Sequence, residues 1–149
     1  TATPMEDEPP PSRAKALEQA MVRARVELAR GRQLIIFPEG TRRAPGAEPA
    51  YKHGVSFIYD ALKVPVVPVG LNSGLFWPRR EFIRRPGTIV AECMDVIPAS
   101  LPRHVMYKRM QDAIEESSNR LLDEGLAELG PLAPALAPRG APDASDQKP

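Results

Sequence analysis

The sequence predicts an α/β fold in which a mixed, mainly parallel sheet is flanked by helices. Apolar residues recur at helical spacing in three segments, which are residues 13–30, 54–63 and 103–128. Three apolar runs of strand length lie between them, at residues 33–37, 64–71 and 88–97. The runs at 33–37 and 64–71 are typical of buried strands that helices cover on both sides.

The first helix and the first strand have clear boundaries in the sequence. Ser12 is a favourable N-cap and Gly31 a favourable C′ residue for the helix at 13–30. The apolar run at 33–37 stops at Pro38, which cannot donate a hydrogen bond to a strand ladder. We therefore expect a helix that leads through a short turn into a buried strand.

The later elements follow the same alternation. The helix at 54–63 turns Val55 and Tyr59 inward, and the strand at 64–71 follows it directly, although Pro68 in its middle is unusual for a central strand. A turn at 72–74 precedes the third strand. The last helix has an apolar stripe, made of Met106, Met110, Ala113, Ser117 and Leu121.

Composition excludes several classes of protein. The formal net charge is +1, so the chain is not a uniformly cationic nucleic-acid coat, and no nucleic-acid-binding motif accompanies its basic residues. The single cysteine excludes a disulfide-stapled secreted scaffold. With two histidines and no tight spacing, we expect no metal site and no cofactor. No apolar run reaches the ~18 residues of a membrane-spanning helix.

Proline is concentrated at the two ends of the chain, which holds 18 prolines in 149 residues. Residues 1–12 are acidic and proline-rich, and residues 130–149 are rich in alanine and proline without periodicity. Such segments are typical of disorder. We expect a disordered leader, one partial domain at 13–129 and a disordered tail. The richness in alanine, arginine and proline is typical of a GC-rich bacterial source.

The loop after the first strand carries the sharpest chemical pattern, Phe-Pro-Glu-Gly-Thr-Arg-Arg at 37–43. Gly40 allows a positive φ and a close approach of the backbone to a ligand. Arg42 offers a planar fork that suits phosphate or carboxylate, and Arg43 and Lys52 add charge. Glu39 would repel a phosphate, and is better suited to orienting an arginine or a substrate hydroxyl. The alternative is a solvated turn with an ordinary surface ion pair.

Three blocks in this order resemble the glycerolipid acyltransferase family, which includes 1-acyl-glycerol-3-phosphate acyltransferases. They are FPEGTR at 37–42, YKHG at 51–54 and VPVVPVGLNSG at 64–74. The resemblance implies the α/β fold of that family, incomplete in this chain. It also implies transfer of a fatty acyl group from acyl-CoA or acyl carrier protein to the hydroxyl of a lysophosphatidic acid, in phospholipid biosynthesis.

The resemblance also implies roles for individual residues. Those expected to hold the acceptor's phosphate are Glu39, Gly40, Thr41, Arg42, Arg43 and Lys52. Those expected to shape the site or the donor's path are Pro65, Pro68 and Gly70. The lysophospholipid acceptor and the acyl donor would be the partners, and the acyl donor a co-substrate rather than a resident cofactor.

The family's catalytic block is a histidine followed five positions later by an aspartate, in which the histidine takes the proton of the acceptor hydroxyl. Neither His53 nor His104 has an aspartate at that spacing. The chain thus resembles the carboxyl-terminal portion of such an enzyme, has no catalytic residue of its own, and by itself is expected to be inactive. The alternatives are a non-catalytic module that binds phosphate-bearing lipid or acyl donor, and a remnant that folds poorly.

An apolar pair beside an arginine cluster follows the second strand. The residues expected to contact a membrane are Phe76, Trp77, Arg79, Arg80, Arg84 and Arg85. Tryptophan is favoured at headgroup depth and arginine on anionic lipid. The alternative is a core-facing Phe and Trp beside a solvated loop. The lipid substrates of the family that this chain resembles favour the membrane contact, and imply that the protein is peripheral on the cytoplasmic face of the membrane.

Overall fold

The computed structural model describes residues 13–79 and 81–142. The chain divides into two compact units, Thr1–Ile35 and Ile36–Pro149. The predicted leader at 1–12, the last residues of the predicted tail at 143–149, and Arg80 lie outside the described residues.

The described part of the first unit consists of helix α1, Arg13–Ala29, and the residues that follow it. The predicted helix at 13–30 is confirmed. Its end is a Schellman motif, in which the Gly31 amide donates to the Leu28 carbonyl at 2.9 Å and the Arg32 amide to the Glu27 carbonyl at 3.0 Å. Gly31 has a φ of 77°, as the C′ position of this motif requires.

The predicted strand at 33–37 is wrong for this structure. Residues 32–37 have no strand pairing among the described residues, and Ile35 and Phe37 are largely exposed. A strand persists only where a neighbour takes its backbone hydrogen bonds. An apolar run can therefore indicate a strand without supplying the partner that forms one.

The second unit is built around one long helix. Its elements are α2 (Gly54–Leu62), β1 (Val69–Leu71), α3 (Ser73–Phe76), β2 (Ala91–Cys93), α4 (Arg103–Leu129) and a 3-10 turn (Gly130–Leu132). The predicted helices at 54–63 and 103–128 are confirmed. The predicted turn at 72–74 instead begins the short helix α3, and the two later predicted strands each shorten to three residues.

The sheet corrects the predicted topology. Among the described residues it has two strands, and they run antiparallel, with Val69 opposite Cys93 and Leu71 opposite Ala91. Parallel neighbours need a crossover connection. Here the chain between β1 and β2 turns back through α3 and a loop, so the second strand returns alongside the first in the opposite direction.

Pro68 sits where the ladder is interrupted. Val66 and Ile97 form an isolated antiparallel bridge, beyond which Val69 pairs with Cys93. Residues 67–68 therefore face residues 94–96, two residues against three, as in a β-bulge. Pro68 has no amide hydrogen, but its carbonyl accepts from the Met94 amide at 3.0 Å. The bulge explains how this strand accommodates a proline.

Helix α4 supplies one side of both hydrophobic clusters in the second unit. The first cluster comprises Tyr51, Val55, Tyr59, Ile97, Met106 and Met110. The second comprises Leu75, Phe76, Leu122 and Leu129. The predicted stripe of α4 is confirmed, with four of its members buried and Ala113 half-buried.

Residues 130–142, the start of the predicted tail, lie against this unit. Ala133 and Leu136 pack on the second cluster. The Gly140 amide donates to the Gly46 carbonyl, and the Glu48 amide to the Ala141 carbonyl, both at 2.9 Å. These contacts hold the long loop between residues 38 and 53 to the segment after α4.

Candidate functional site

The loop at 37–43 begins with a hydrogen-bonded turn. The Gly40 amide donates to the Phe37 carbonyl at 3.0 Å, which closes a four-residue turn with Pro38 in its second position. Proline there and glycine in the fourth position are both favoured in β-turns. Gly40 has a φ of 72°, a backbone conformation that glycine adopts without strain. Local sequence chemistry therefore fixes this bend.

The two ends of the long loop meet at this turn. The Lys52 amide donates to the Pro38 carbonyl at 2.7 Å. The Lys52 side chain runs along Gly40, with its Cγ 3.6 Å and its Cε 3.9 Å from where a Cβ on Gly40 would lie. The structure thus brings Lys52 to the turn at Pro38 and Gly40, and a Cβ at position 40 would make an ordinary van der Waals contact with the lysine.

The backbone on either side of Lys52 is held by helix α4. The Tyr51 hydroxyl donates to Glu115 at 2.8 Å, and the Tyr107 hydroxyl donates to the Tyr51 carbonyl at 3.0 Å. The His53 ring stacks on the Tyr107 ring with centroids 4.9 Å apart. These contacts position Lys52 from both neighbours. Sequence reasoning missed Tyr107 and Glu115, because they act on the loop from a helix more than 50 residues away.

Burial raises the pKa of the Tyr51 phenol far above its ordinary value, and its hydrogen bond to Glu115 raises it further. The charge of Glu39 contributes in the same direction, so this carboxylate lies close enough to act on the phenol. Tyr51 therefore stays neutral and serves as a hydrogen-bond donor. It is not available as a proton acceptor at neutral pH.

The cationic side of the loop faces solvent. Gly40, Thr41, Arg42 and Lys52 are exposed, whereas Glu39 and Arg43 are half-buried. The Arg79 guanidinium donates to the Arg42 carbonyl at 3.4 Å, which adds a third arginine to this loop. Pro45 packs on Gly74 of α3, with its Cγ 3.4 Å from where a Cβ would lie. Exposed guanidinium and ammonium groups on a fixed backbone can bind a phosphate by charge-assisted hydrogen bonds.

The three residues predicted to shape the site or the donor's path have three different environments. Pro65 is exposed, and Pro68 lines a cleft of about 530 Å³ between the bulged strand and α4. None of residues 37–43 lines this cleft. Gly70 is buried against α4, and a Cβ added to it would lie only 2.7 Å from the Cβ of Ser117. The glycine at 70 is thus required by close packing of β1 on α4, a reason that the sequence did not reveal.

Phe76 corrects the predicted membrane contact. It is 3% exposed, and belongs to the second hydrophobic cluster with Leu75 and Leu122. Gly125 of α4 leaves room for its ring, whose Cζ lies 3.3 Å from where a Cβ would be. Trp77, by contrast, is 56% exposed and stacks under Arg84. Arg79 and Arg85 are half-buried and Arg84 is exposed, while Arg80 lies outside the described residues.

Neither histidine has a carboxylate partner in the contacts of the described residues. His53 is exposed at the start of α2 and stacks on Tyr107, and His104 is exposed in the first turn of α4. Across residues 13–79 and 81–142 no three His, Cys, Asp or Glu side chains converge as metal ligands would. In the same part of the chain, no helix combines the length and apolarity needed to cross a bilayer.

Comparison with known proteins agrees with the three sequence blocks. Residues 10–72 match the family model described as Acyltransferase. A 1-acyl-sn-glycerol-3-phosphate acyltransferase from Pseudomonas aeruginosa is 27% identical over 117 residues, which cover 78% of this chain and 44% of that protein. The chain thus spans less than half the length of this curated relative. No solved structure shows significant similarity.

The matched residues contain the Phe37–Arg43 loop, Lys52 and strand β1, so the family match covers the cationic loop described above. By this match, and by its similarity to the Pseudomonas protein, residues 10–72 of the chain are similar to the acyltransferase family.

Proposed function

We propose that the chain carries the acceptor-phosphate half of a site that transfers a fatty acyl group from acyl-CoA or acyl carrier protein to the hydroxyl of 1-acyl-glycerol-3-phosphate. One observation carries this proposal: the hydrogen bond between Lys52 and Pro38 places a lysine across the bend that precedes Arg42. The activity for which the Pseudomonas relative is named supplies the substrate class.

The charges of the loop suit a phosphate monoester. Such a group carries a charge between −1 and −2 at neutral pH and three acceptor oxygens. Arg42 and Lys52 are exposed donors near the Gly40 turn, and Arg79 adds a guanidinium beside the Arg42 carbonyl. The Glu39 carboxylate lies close enough to Tyr51 for its charge to raise the pKa of the phenol, and it would repel a phosphate rather than pair with it. We assign Glu39 to orienting the cations or to accepting a hydrogen bond from a glycerol hydroxyl.

The chemical step needs a base that this loop does not supply. The acceptor oxygen attacks the thioester carbonyl, a C–O bond forms, the C–S bond breaks, and the hydroxyl proton must leave as the thiolate departs. The 149 residues hold no histidine with an aspartate five positions later. A second candidate needs only the cationic loop at Gly40 and Lys52: a module that binds phosphate-bearing lipid without catalysing transfer.

Titration calorimetry with a short-chain 1-acyl-glycerol-3-phosphate tests the shared part of both candidates. We expect the matching monoacylglycerol, which lacks the phosphate, to bind at least about 10-fold more weakly, because charge-assisted hydrogen bonds are lost. Arg42→Ala and Lys52→Ala should each weaken phosphate-ligand binding by about 10-fold for the same reason. Arg32→Ala is the matched control, since Arg32 is exposed and paired with Glu27.

The same preparations separate the two candidates. Thiol release from acyl-CoA or acyl carrier protein that depends on the lysophosphatidic acid and on Arg42 supports the transferase. Phosphate-dependent binding without thiol release supports the binding module. Equal affinity for the ligands with and without phosphate, or no change in Arg42→Ala, would contradict both, because each rests on the cationic loop.

A further inference from the structure

The loop after α3 presents apolar side chains to solvent at its tip. We call residues 77–85 the wedge loop; its described members exclude Arg80. Phe82 is 99% exposed and Ile83 is 68% exposed. Neither belongs to a hydrophobic cluster of the described residues. Two adjacent, exposed large apolar side chains are costly in water and indicate a surface that is covered in use.

An arginine holds this tip in shape. The Arg84 guanidinium donates to the Glu81 carbonyl at 2.5 Å and to the Phe82 carbonyl at 3.2 Å. It also lies over the Trp77 ring, 4.8 Å from its centroid. The side chain of Arg84 thus folds back across its own loop. The carbonyls turn towards this cation, and the apolar side chains of Phe82 and Ile83 remain on the surface.

A second arginine fixes the base of the loop to the core. The Arg85 amide donates to the Phe76 carbonyl at 3.0 Å. Its guanidinium donates to the Leu75 carbonyl and to the Glu81 carboxylate, each at 3.3 Å. Leu75 and Phe76 are buried, so the wedge loop grows from the second hydrophobic cluster. An apolar tip on a fixed base is suited to insertion into an apolar environment such as the boundary between lipid headgroups and acyl chains.

The charges around the tip select the partner. Glu81 is paired with Arg85, whereas Arg79 and Arg84 bond only carbonyl oxygens in the contacts described above, which leaves their charge uncompensated there. We propose that the wedge loop docks on an anionic lipid bilayer, with Phe82 and Ile83 entering the headgroup and acyl boundary and the arginines contacting lipid phosphates. Two side chains are too small a patch for a stable protein interface, which buries ~800 Å² per partner.

The wedge loop is joined to the cationic loop. The Arg79 guanidinium donates to the Arg42 carbonyl, so docking would bring residues 37–43 towards the headgroup layer. This consequence rests on the proposed function, in which the acceptor is itself a lipid. The docking surface does not rest on it, because Phe82 and Ile83 lie outside the acceptor-phosphate residues.

Trp77 is the only tryptophan in the chain, and it reports directly on the wedge loop. The test adds vesicles of phosphatidylcholine and phosphatidylglycerol in equal parts, without lysophospholipid, and follows Trp77 fluorescence and sedimentation of the full chain. We expect binding with a blue shift, weaker binding to pure phosphatidylcholine, and weaker binding at high salt. The double variant Phe82→Ala with Ile83→Ala should bind about 10- to 100-fold more weakly, because both insertions are lost.

Phe57→Ala is the matched control. Phe57 is 57% exposed and has Arg103 over its ring at 4.7 Å, yet lies on α2 rather than on the wedge loop. It should bind vesicles as the unsubstituted chain does. Absence of vesicle binding, or equal binding by the double variant, would overturn the proposal. So would a dimer in sedimentation velocity that needs Phe82 and excludes vesicle binding, because the tip would then serve a second copy of the chain.

Discussion

The two phenylalanines near the wedge loop give the sharpest test of the fold. Phe76 is 3% exposed and Phe82 is 99% exposed, although they are only six positions apart in the sequence. Replacing Phe76 with alanine removes a ring enclosed by Leu75, Leu122 and Gly125. Leu122 and Gly125 are held in helix α4 and cannot close the space fully. The free energy of unfolding should therefore fall by about 3–5 kcal/mol.

That loss is a large part of the ~5–15 kcal/mol that stabilises a typical domain. Urea unfolding followed by far-ultraviolet circular dichroism measures it. With a slope of about 2 kcal/mol per molar urea, the midpoint should fall by about 2 M. Phe82→Ala is the control, and its free energy of unfolding should change by no more than about 0.5 kcal/mol, since its side chain is already in water.

A loss in Phe76→Ala of less than about 1 kcal/mol, or no larger than that in Phe82→Ala, would refute the enclosure of this ring. If Phe76→Ala does not fold, Phe76→Leu serves in its place, because leucine fills part of the same space. That variant should show a smaller, measurable loss, and a loss equal to that of Phe82→Ala would again contradict the burial of Phe76.

Three further predictions follow from particular contacts. Gly70→Ala should lower the free energy of unfolding by about 1–3 kcal/mol in urea titrations, since its methyl would overlap Ser117; Gly70→Ala with Ser117→Gly should recover part of that loss. A hydrogen bond from Ser117, reinforced by Arg120, holds the pKa of Glu92 below its ordinary value. The ionised Glu92 carboxylate therefore stabilises the fold above the unfolded carboxyl pKa of about 4.3, and this stabilisation disappears as the pH falls through the lower folded pKa. The melting temperature of Glu92→Gln should consequently depend less on pH below about 4.3 than that of the unsubstituted chain. An unchanged pH profile would contradict this reasoning. Tyr107→Phe removes the hydrogen-bond donor to the Tyr51 carbonyl but keeps the ring that stacks on His53. Because the backbone beside Lys52 is then held less firmly, phosphate-ligand binding in calorimetry should weaken by about 5-fold, with a smaller effect on the free energy of unfolding. Unchanged affinity would show that Tyr107 does not position Lys52.

Elements that depend on local chemistry could be predicted from the sequence. Helix α1 ends at Ala29, before a C′ glycine, Gly31, that takes a positive φ, and the stripe of α4 follows from helical periodicity. The turn at Gly40 follows from a proline and a glycine two positions apart. The three blocks that resemble acyltransferases are likewise short and contiguous, so the order of residues along the chain is enough to reveal that resemblance.

Contacts between distant segments decided the rest. The run at 33–37 is as apolar as a strand but has no described partner, and β2 pairs antiparallel because the chain turns back after β1. Composition could not tell that Phe76 enters the core while Phe82 stays in water. That choice is made by the space beside Gly125, 49 residues along the chain from Phe76. Burial and strand pairing are properties of surfaces that meet only in the folded chain, whereas turns, caps and helical stripes are properties of neighbours in sequence.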